Sequence, residues 1–125
     1  MVQGEKDKLL SLLDSEKRWC QDAEARDMDG DPVRHSDLGA VAWDITGALC
    51  RLFGWRRARE LFVQLDRHVN GRRKPAYRPG RDAGIDSMVA LQDFNDRSDT
   101  TFEVLCEQIR TIPVWQSKAD ANASA

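Results

Sequence analysis

Three aspartates spaced two residues apart, Asp27, Asp29 and Asp31, form the most metal-like pattern in the sequence. Carboxylates at this spacing are the first ligands of helix–loop–helix calcium sites, which also need a glycine at position six and a glutamate at position twelve. Those two positions hold Pro32 and Leu38 here. The pattern therefore favours a solvated turn, and we predict no calcium site.

Zinc sites and nucleophilic triads depend on cysteine or histidine side chains, which are few in this sequence. They are widely spaced and include no C-x-x-C pair: Cys20, His35, Cys50, His68 and Cys106. Structural zinc needs four such ligands in clustered spacing, so isolated cysteines on apolar faces are better interpreted as small core residues. No glycine-rich phosphate-binding motif is present either. We predict no metal site and no cofactor.

Paired carboxylates are the remaining catalytic option. Asp44 interrupts an apolar stretch, and it could meet Asp96 in a shared pocket, with His35 as a third participant. An aspartate in such a setting more often caps a backbone segment or pairs with an arginine. Catalysis is therefore a minority hypothesis, and no catalytic residue is assigned.

A strongly basic segment dominates the charge pattern. Residues 51–81 hold nine arginines and one lysine against Glu60 and Asp66, a net charge of +8, whereas the rest of the chain carries −10. Arginine mixed with an apolar residue is typical of protein-binding surfaces. The leading hypothesis is a non-enzymatic module that binds another protein through a surface of eight residues. These are Arg56, Arg59, Val63, Arg67, Arg72, Arg73, Tyr77 and Arg78.

Two alternatives remain open for the same segment. The arginines could pair with the protein's own acidic helices, or the basic 71–81 loop could bind nucleic acid, with its arginines on phosphates and Tyr77 stacked on a base. The sequence pI of about 5.7 argues against nucleic acid. Self-association through the oppositely charged halves is also open.

The 71–81 loop is long for a connection in a compact domain, where four to six residues are usual. Pro75 and Pro79 restrict its backbone and argue against helix or central strand. We expect a surface-exposed loop in which Arg72, Arg73 and Arg78 reach solvent or a partner.

The elements that would position these residues are expected to be helices. Apolar spacing predicts helices over about 5–26, 37–53, 55–69, 83–94 and 100–111, with the second capped by Ser36 or Asp37 and ended by Gly54. A Thr100–Glu103 capping box opens the last. The predicted fold is all-α: one compact domain, residues 1–116, built as a bundle of four to five helices around a central apolar helix, with a frayed tail over 117–125.

The compartment expected from composition is the cytoplasm. The N-terminal residues lack the apolar run of an export signal, no stretch is long enough to span a membrane, and an odd number of cysteines does not suit a disulfide scaffold.

Three islands of sequence resemble a family of small helical proteins from bacteria and phages that is known only as a domain of unknown function. They are Trp19-Cys20, "AVAWDITGAL" over residues 40–49 and "FNDRSDTTFEVL" over residues 94–105. The resemblance covers roughly residues 9–112 and implies structural roles: Trp19 and Trp43 as core anchors, and Asn95-Asp96 as a turn before the last helix.

Overall fold

The computed structural model describes residues 1–71, Gly80 and residues 82–114. Four helices and a small antiparallel sheet make up this part of the chain: α1 (Gln3–Leu12), β1 (Ala25–Asp27), β2 (Pro32–Val33), β3 (Ala40–Trp43), α2 (Ile45–Asn70), α3 (Ala83–Asp96) and α4 (Phe102–Thr111). The all-α prediction is therefore wrong, because the protein combines helices with a sheet. The predicted tail over 117–125 lies outside the described residues.

The first helix is much shorter than the 5–26 range predicted from its apolar spacing. It ends at Leu12, and exposed polar residues follow, including one turn of 3-10 helix over Glu16–Arg18. A helix continued through these residues would have had no apolar side chain to bury. Trp19 and Cys20, counted as part of the helical stripe, instead run alongside β3, where the Cys20 N–H donates to the Trp43 carbonyl at 3.1 Å.

The sheet has the order β2-β1-β3, with both neighbouring pairs antiparallel. Its strands are two to four residues long, too short for the alternation of buried and exposed residues that identifies a strand in sequence. The β3 segment "AVAW" was instead assigned to the second helix. Ser36 and Asp37 therefore do not cap that helix.

The long helix α2 joins two predicted helices at Gly54. Asp44 caps its N-terminus, since its carboxylate accepts from the Gly47 N–H, and Gly54 interrupts the helix with a φ of 77°. Residues 45–50 are buried, so the prediction of a central apolar helix applies to the first turns of α2. The second half buries Ala58, Leu61 and Phe62 against α3 and the core.

The last two helices pack around α2. Asp82 caps α3 by accepting from the Ile85 N–H, and Thr101 caps α4 by accepting from Val104. The α4 cap is thus one residue later than the predicted Thr100. Within the described ranges, no helix combines the length and the apolar character required to cross a membrane.

Candidate binding cleft and its flanking surface

A cleft of about 260 Å³ opens where the sheet meets α2 and α3. The sheet side contributes Glu24, Arg34 and His35. Pairing of Ala25 with Val33 places Glu24 opposite Arg34, so the β1–β2 hairpin brings together residues that are distant in sequence. The hairpin register is therefore what builds this wall.

The other walls come from helices. The first half of α2 contributes Thr46, Gly47 and Cys50. Trp55, which follows Gly54, and Met88 and Gln92 from α3 complete these walls. Thioether, thiol and indole groups make much of this wall apolar. The cleft thus combines a polar side on the hairpin with a mainly apolar side on the helices.

Gly47 permits the close approach of the hairpin to α2. A Cβ at this position would collide with the carbonyl oxygen of Glu24, which also accepts the Asp44 N–H at 3.1 Å. The structure shows that Gly47 accommodates backbone next to a strand.

The Glu24 carboxylate fixes the orientation of His35. Its Oε2 accepts from the His35 backbone N–H at 3.1 Å and lies 2.7 Å from Nδ1 of the ring. Burial raises the pKa of Glu24, but the hydrogen bonds from His35 and the positive charge of Arg34 outweigh this effect and leave the pKa lowered. An ionised Glu24 keeps the Nδ1 proton between the two residues, so Nε2 of a neutral ring is an acceptor.

Thr46 is likewise oriented by a buried carboxylate. Its hydroxyl donates to Oδ1 of Asp44 at 2.9 Å, and the same oxygen accepts the Gly47 N–H at 2.5 Å. Burial raises the pKa of Asp44 to about 7, against the lowering effect of these two hydrogen bonds. Because its proton is directed to Asp44, the Thr46 oxygen keeps lone pairs that can accept a further hydrogen bond.

Cys50 contributes a protonated thiol. Burial raises its pKa to about 11, and the nearby charges of Glu24 and Asp44 act in the same direction. A thiolate nucleophile is therefore disfavoured at neutral pH. Cys50 provides apolar, polarisable surface instead.

Beside the cleft lies a surface of five residues that we call the arginine–tryptophan surface: Arg34, Arg51, Trp55, Arg56 and Arg59. Trp55 is 48% exposed, although the apolar spacing that predicts the helix over 55–69 placed it in the core. The Arg59 guanidinium lies 5.8 Å from the centre of its ring. The Arg51 guanidinium donates to the carbonyl oxygens of His35 and Asp37, both at 3.4 Å.

The predicted partner-binding residues on α2 differ in their exposure. Arg56 is exposed, whereas Val63, expected to be exposed, is half-buried. Arg59 is half-buried and pairs with Asp82, the capping residue of α3. Arg67 is half-buried, and its Nε has no hydrogen-bond partner among the described residues.

The four predicted partner-binding residues of the connecting loop, Arg72, Arg73, Tyr77 and Arg78, lie outside the described residues. The expectation that this loop is exposed remains a prediction.

The hypothesised carboxylate pair lies at a different place from the cleft. Asp96 accepts the Asp22 N–H at 2.9 Å and the side-chain amide of Asn95, also at 2.9 Å. Asn95 in turn accepts the Ile45 N–H, next to Asp44, so the two aspartates flank a structural amide. Of the three residues in the catalytic hypothesis, His35 alone lines the cleft.

The acidic loop brings Asp27, Asp29 and Asp31 together, with their carboxylate oxygens within 4.8 Å of one another. Oδ1 of Asp27 accepts the N–H groups of Asp29 and Asp31, both at 3.0 Å. These hydrogen bonds close a turn between β1 and β2, in line with the turn predicted from the sequence.

Sequence reasoning missed several cleft residues, among them Glu24, Arg34, Thr46 and Gln92. Each has an ordinary residue type for its local sequence, and no spacing marks it. The missing information was the β1–β2 pairing, since it alone places Glu24 next to His35 eleven residues later.

Comparison with known proteins shows a match over residues 7–111 to a family described as "Family of unknown function (DUF6197)". No curated protein and no solved structure matches the chain significantly. The sequence resemblance to a family of unknown function is thereby confirmed at the level of the family, and the chain belongs to DUF6197.

Proposed function

We propose that this protein is a non-enzymatic interaction module that binds an acidic segment of another protein through the arginine–tryptophan surface. The observation that carries the proposal is the half-exposed Trp55 with Arg59 against its ring and the exposed Arg56 next to it. Tryptophan and arginine are the residue types most enriched among energetically dominant interface positions.

The charges of this surface favour an acidic partner. Arg34, Arg51 and Arg56 form no ion pair with any carboxylate of the described residues, whereas Arg57 pairs with Glu5 and Glu60. The hydrogen bonds that Arg57 donates to Glu5 raise the pKa of Arg57 above its usual range. Arg57 and Arg59 thus pair with carboxylates of the protein itself, which is one of the alternatives considered from the sequence. The other three arginines of the surface remain available to a partner.

The state of Cys50 supports a binding role, because the raised pKa of its thiol disfavours a thiolate nucleophile in the described part of the cleft. His35 is oriented by Glu24 as a catalytic base would be, but nothing on the described walls of the cleft supplies a group for it to activate.

Nucleic acid would meet the same arginines, but the neighbouring helix α3 carries the exposed Asp93. Its carboxylate would repel a phosphate backbone long enough to extend over α3, whereas a short peptide need not reach it. Each binding experiment therefore includes a labelled single-stranded oligonucleotide, which tests nucleic-acid binding as the alternative hypothesis.

The test is selection from a displayed library of random peptides, using the wild type and R34E/R56E. We expect the wild type to enrich glutamate- and aspartate-rich peptides and the variant to lose this enrichment. The matched control is K8E/K17E, which changes the net charge equally at exposed positions on α1 and the 3-10 turn. No acidic enrichment, equal enrichment by R34E/R56E, or tighter binding of the oligonucleotide than of the selected peptides would each contradict the proposal.

A further inference from the structure

The size of the cleft limits what it can hold. Pockets for drug-sized ligands and cofactors usually occupy about 300–1,000 Å³. At about 260 Å³, the cleft is below that range and suits one large side chain. Because Trp55 belongs both to the cleft and to the arginine–tryptophan surface, a chain bound on the surface can place a side chain in the cleft.

The helical walls favour an aromatic occupant. Met88 and Cys50 offer sulfur atoms and Trp55 offers its indole ring, all of which make favourable contacts with an aromatic ring. The half-exposed indole of Trp55 leaves apolar area in water, and an aromatic side chain in the cleft would cover part of that area.

The polar groups of the cleft, His35 on the hairpin and Thr46 at the start of α2, present acceptors and call for a donor on the occupant. The proton of Thr46 is directed to Asp44, and the Nδ1 proton of His35 is directed to Glu24. The Thr46 oxygen and Nε2 of a neutral His35 therefore accept hydrogen bonds. Within the described part of the chain, no residue donates to Nε2 of His35.

We propose that the cleft binds the side chain of a tyrosine or tryptophan from the acidic partner segment, with its O–H or N–H donating to His35 or Thr46. This inference rests on the proposed function, since the same segment supplies the acidic flanks. A phenylalanine or leucine would fill the cleft but leave the acceptors without a donor, which costs affinity.

The experiment measures binding of four blocked peptides to the intact protein by NMR titration: Ac-EEYEE-NH2, Ac-EEFEE-NH2, Ac-EEAEE-NH2 and Ac-KKYKK-NH2. We expect the tyrosine peptide to bind about tenfold more tightly than the phenylalanine peptide, the effect of one hydrogen bond to a buried group. The alanine peptide should bind more weakly still, and the lysine peptide should not bind.

Two variants test the acceptors. T46V should reduce the preference for tyrosine over phenylalanine, and T46S, which keeps the hydroxyl, should restore it. H35A should also reduce it, and its NMR spectrum reports whether the fold is intact. A misfolded H35A variant leaves the T46V and T46S pair as the decisive comparison.

The outcomes separate the inference from the proposed function. Equal binding of the tyrosine and phenylalanine peptides, or a preference unchanged in both T46V and H35A, overturns the aromatic-donor inference while leaving the charge preference. Equal binding of the glutamate and lysine peptides overturns the proposed function itself.

Discussion

Two polar networks of this protein, both built around the start of α2, differ in how completely their hydrogen bonds are used. The first, which we call the Asn95 hub, consists of the fully buried Asn95 and its four partners. Its Oδ1 accepts from Trp19 Nε1 at 2.7 Å and from the Ile45 N–H at 3.0 Å. Its Nδ2 donates to the Cys20 carbonyl at 3.0 Å and to Asp96 at 2.9 Å.

The second network comprises the polar groups of the cleft, His35 on the hairpin and Thr46 at the start of α2. Here carboxylates orient His35 and Thr46 but leave acceptor positions without a partner in the described residues. A buried amide with all four hydrogen bonds made holds structure, whereas oriented acceptors in an open cleft can bind. We therefore propose that the hub contributes stability and the cleft recognition.

The largest effect is expected from Asn95→Ala. The change leaves the Trp19 indole N–H, the Ile45 N–H and the Cys20 carbonyl without partners, at about 1–3 kcal/mol for each buried group. We expect the free energy of unfolding to fall by at least about 3 kcal/mol, measured by urea denaturation. Gln92→Ala, one turn earlier on α3 in the cleft wall, should cost less than about 1 kcal/mol. Similar losses for both variants would remove the distinction between hub and cleft.

Gly47→Ala tests how closely the hairpin is fitted to α2. The new Cβ would collide with the Glu24 carbonyl oxygen, so one of the two segments must move. We expect a loss of about 1–3 kcal/mol, typical of overpacking. Gly4→Ala on α1, where a Cβ meets nothing within 4 Å, is the matched control and should not destabilise. An unchanged melting temperature for Gly47→Ala would show that the junction is loosely packed.

Asp44 should make stability depend on pH in an unusual direction for a carboxyl group. Its pKa is raised from 3.8 to about 7 in the folded protein, so the folded state binds a proton that the unfolded state has released. This contribution is fully present below about pH 4 and is lost as the pH rises towards 7. Asp44→Asn keeps an oxygen acceptor for Gly47 and Thr46 while removing the titration.

The measurement for Asp44 is the difference in unfolding free energy between D44N and the wild type at pH 4, 5.5 and 7. We expect D44N to gain stability relative to the wild type as the pH rises. A constant difference would show that Asp44 titrates alike in the folded and unfolded states.

The smallest effect on stability is expected from the triple variant R72A/R73A/R78A. These loop arginines are predicted to reach solvent or a partner, so we expect the free energy of unfolding to change by less than about 0.5 kcal/mol. Binding of acidic peptides should weaken through the lost charge. A large loss of stability in thermal unfolding would make the arginines structural.

How much of the fold could be predicted from the sequence depends on how far apart in the chain the interacting residues are. The helices over 83–94 and 100–111 and the stop at Gly54 could be predicted within a few residues, because caps, apolar spacing and glycine act locally. The sheet could not, since strands of two to four residues carry too little pattern and depend on pairing with each other. Trp19 illustrates this difficulty: its spacing fitted a helix, but its indole bonds to Asn95 far along the chain.

The candidate site followed the same rule. Arg56 could be predicted as exposed from its position on an amphipathic helix, but Trp55 was assigned to the core from its place among the apolar residues of that helix, and it is 48% exposed. The Glu24–His35 pair required the hairpin register. Asp44 was noticed as a polar residue in an apolar stretch, and its role as the α2 cap was among the interpretations considered.

The central claim, that recognition belongs to the cleft and its surface and stability to the Asn95 hub, is tested most directly by NMR titration of ¹⁵N-labelled protein with Ac-EEYEE-NH2. We expect the changes in amide chemical shift to be largest at Arg34, Arg51 and Trp55 and to become smaller as salt is added. Ile45 and Asn95 should change little. Shifts centred on the hub, shifts of equal size with Ac-KKYKK-NH2, or no shifts at low salt would contradict it.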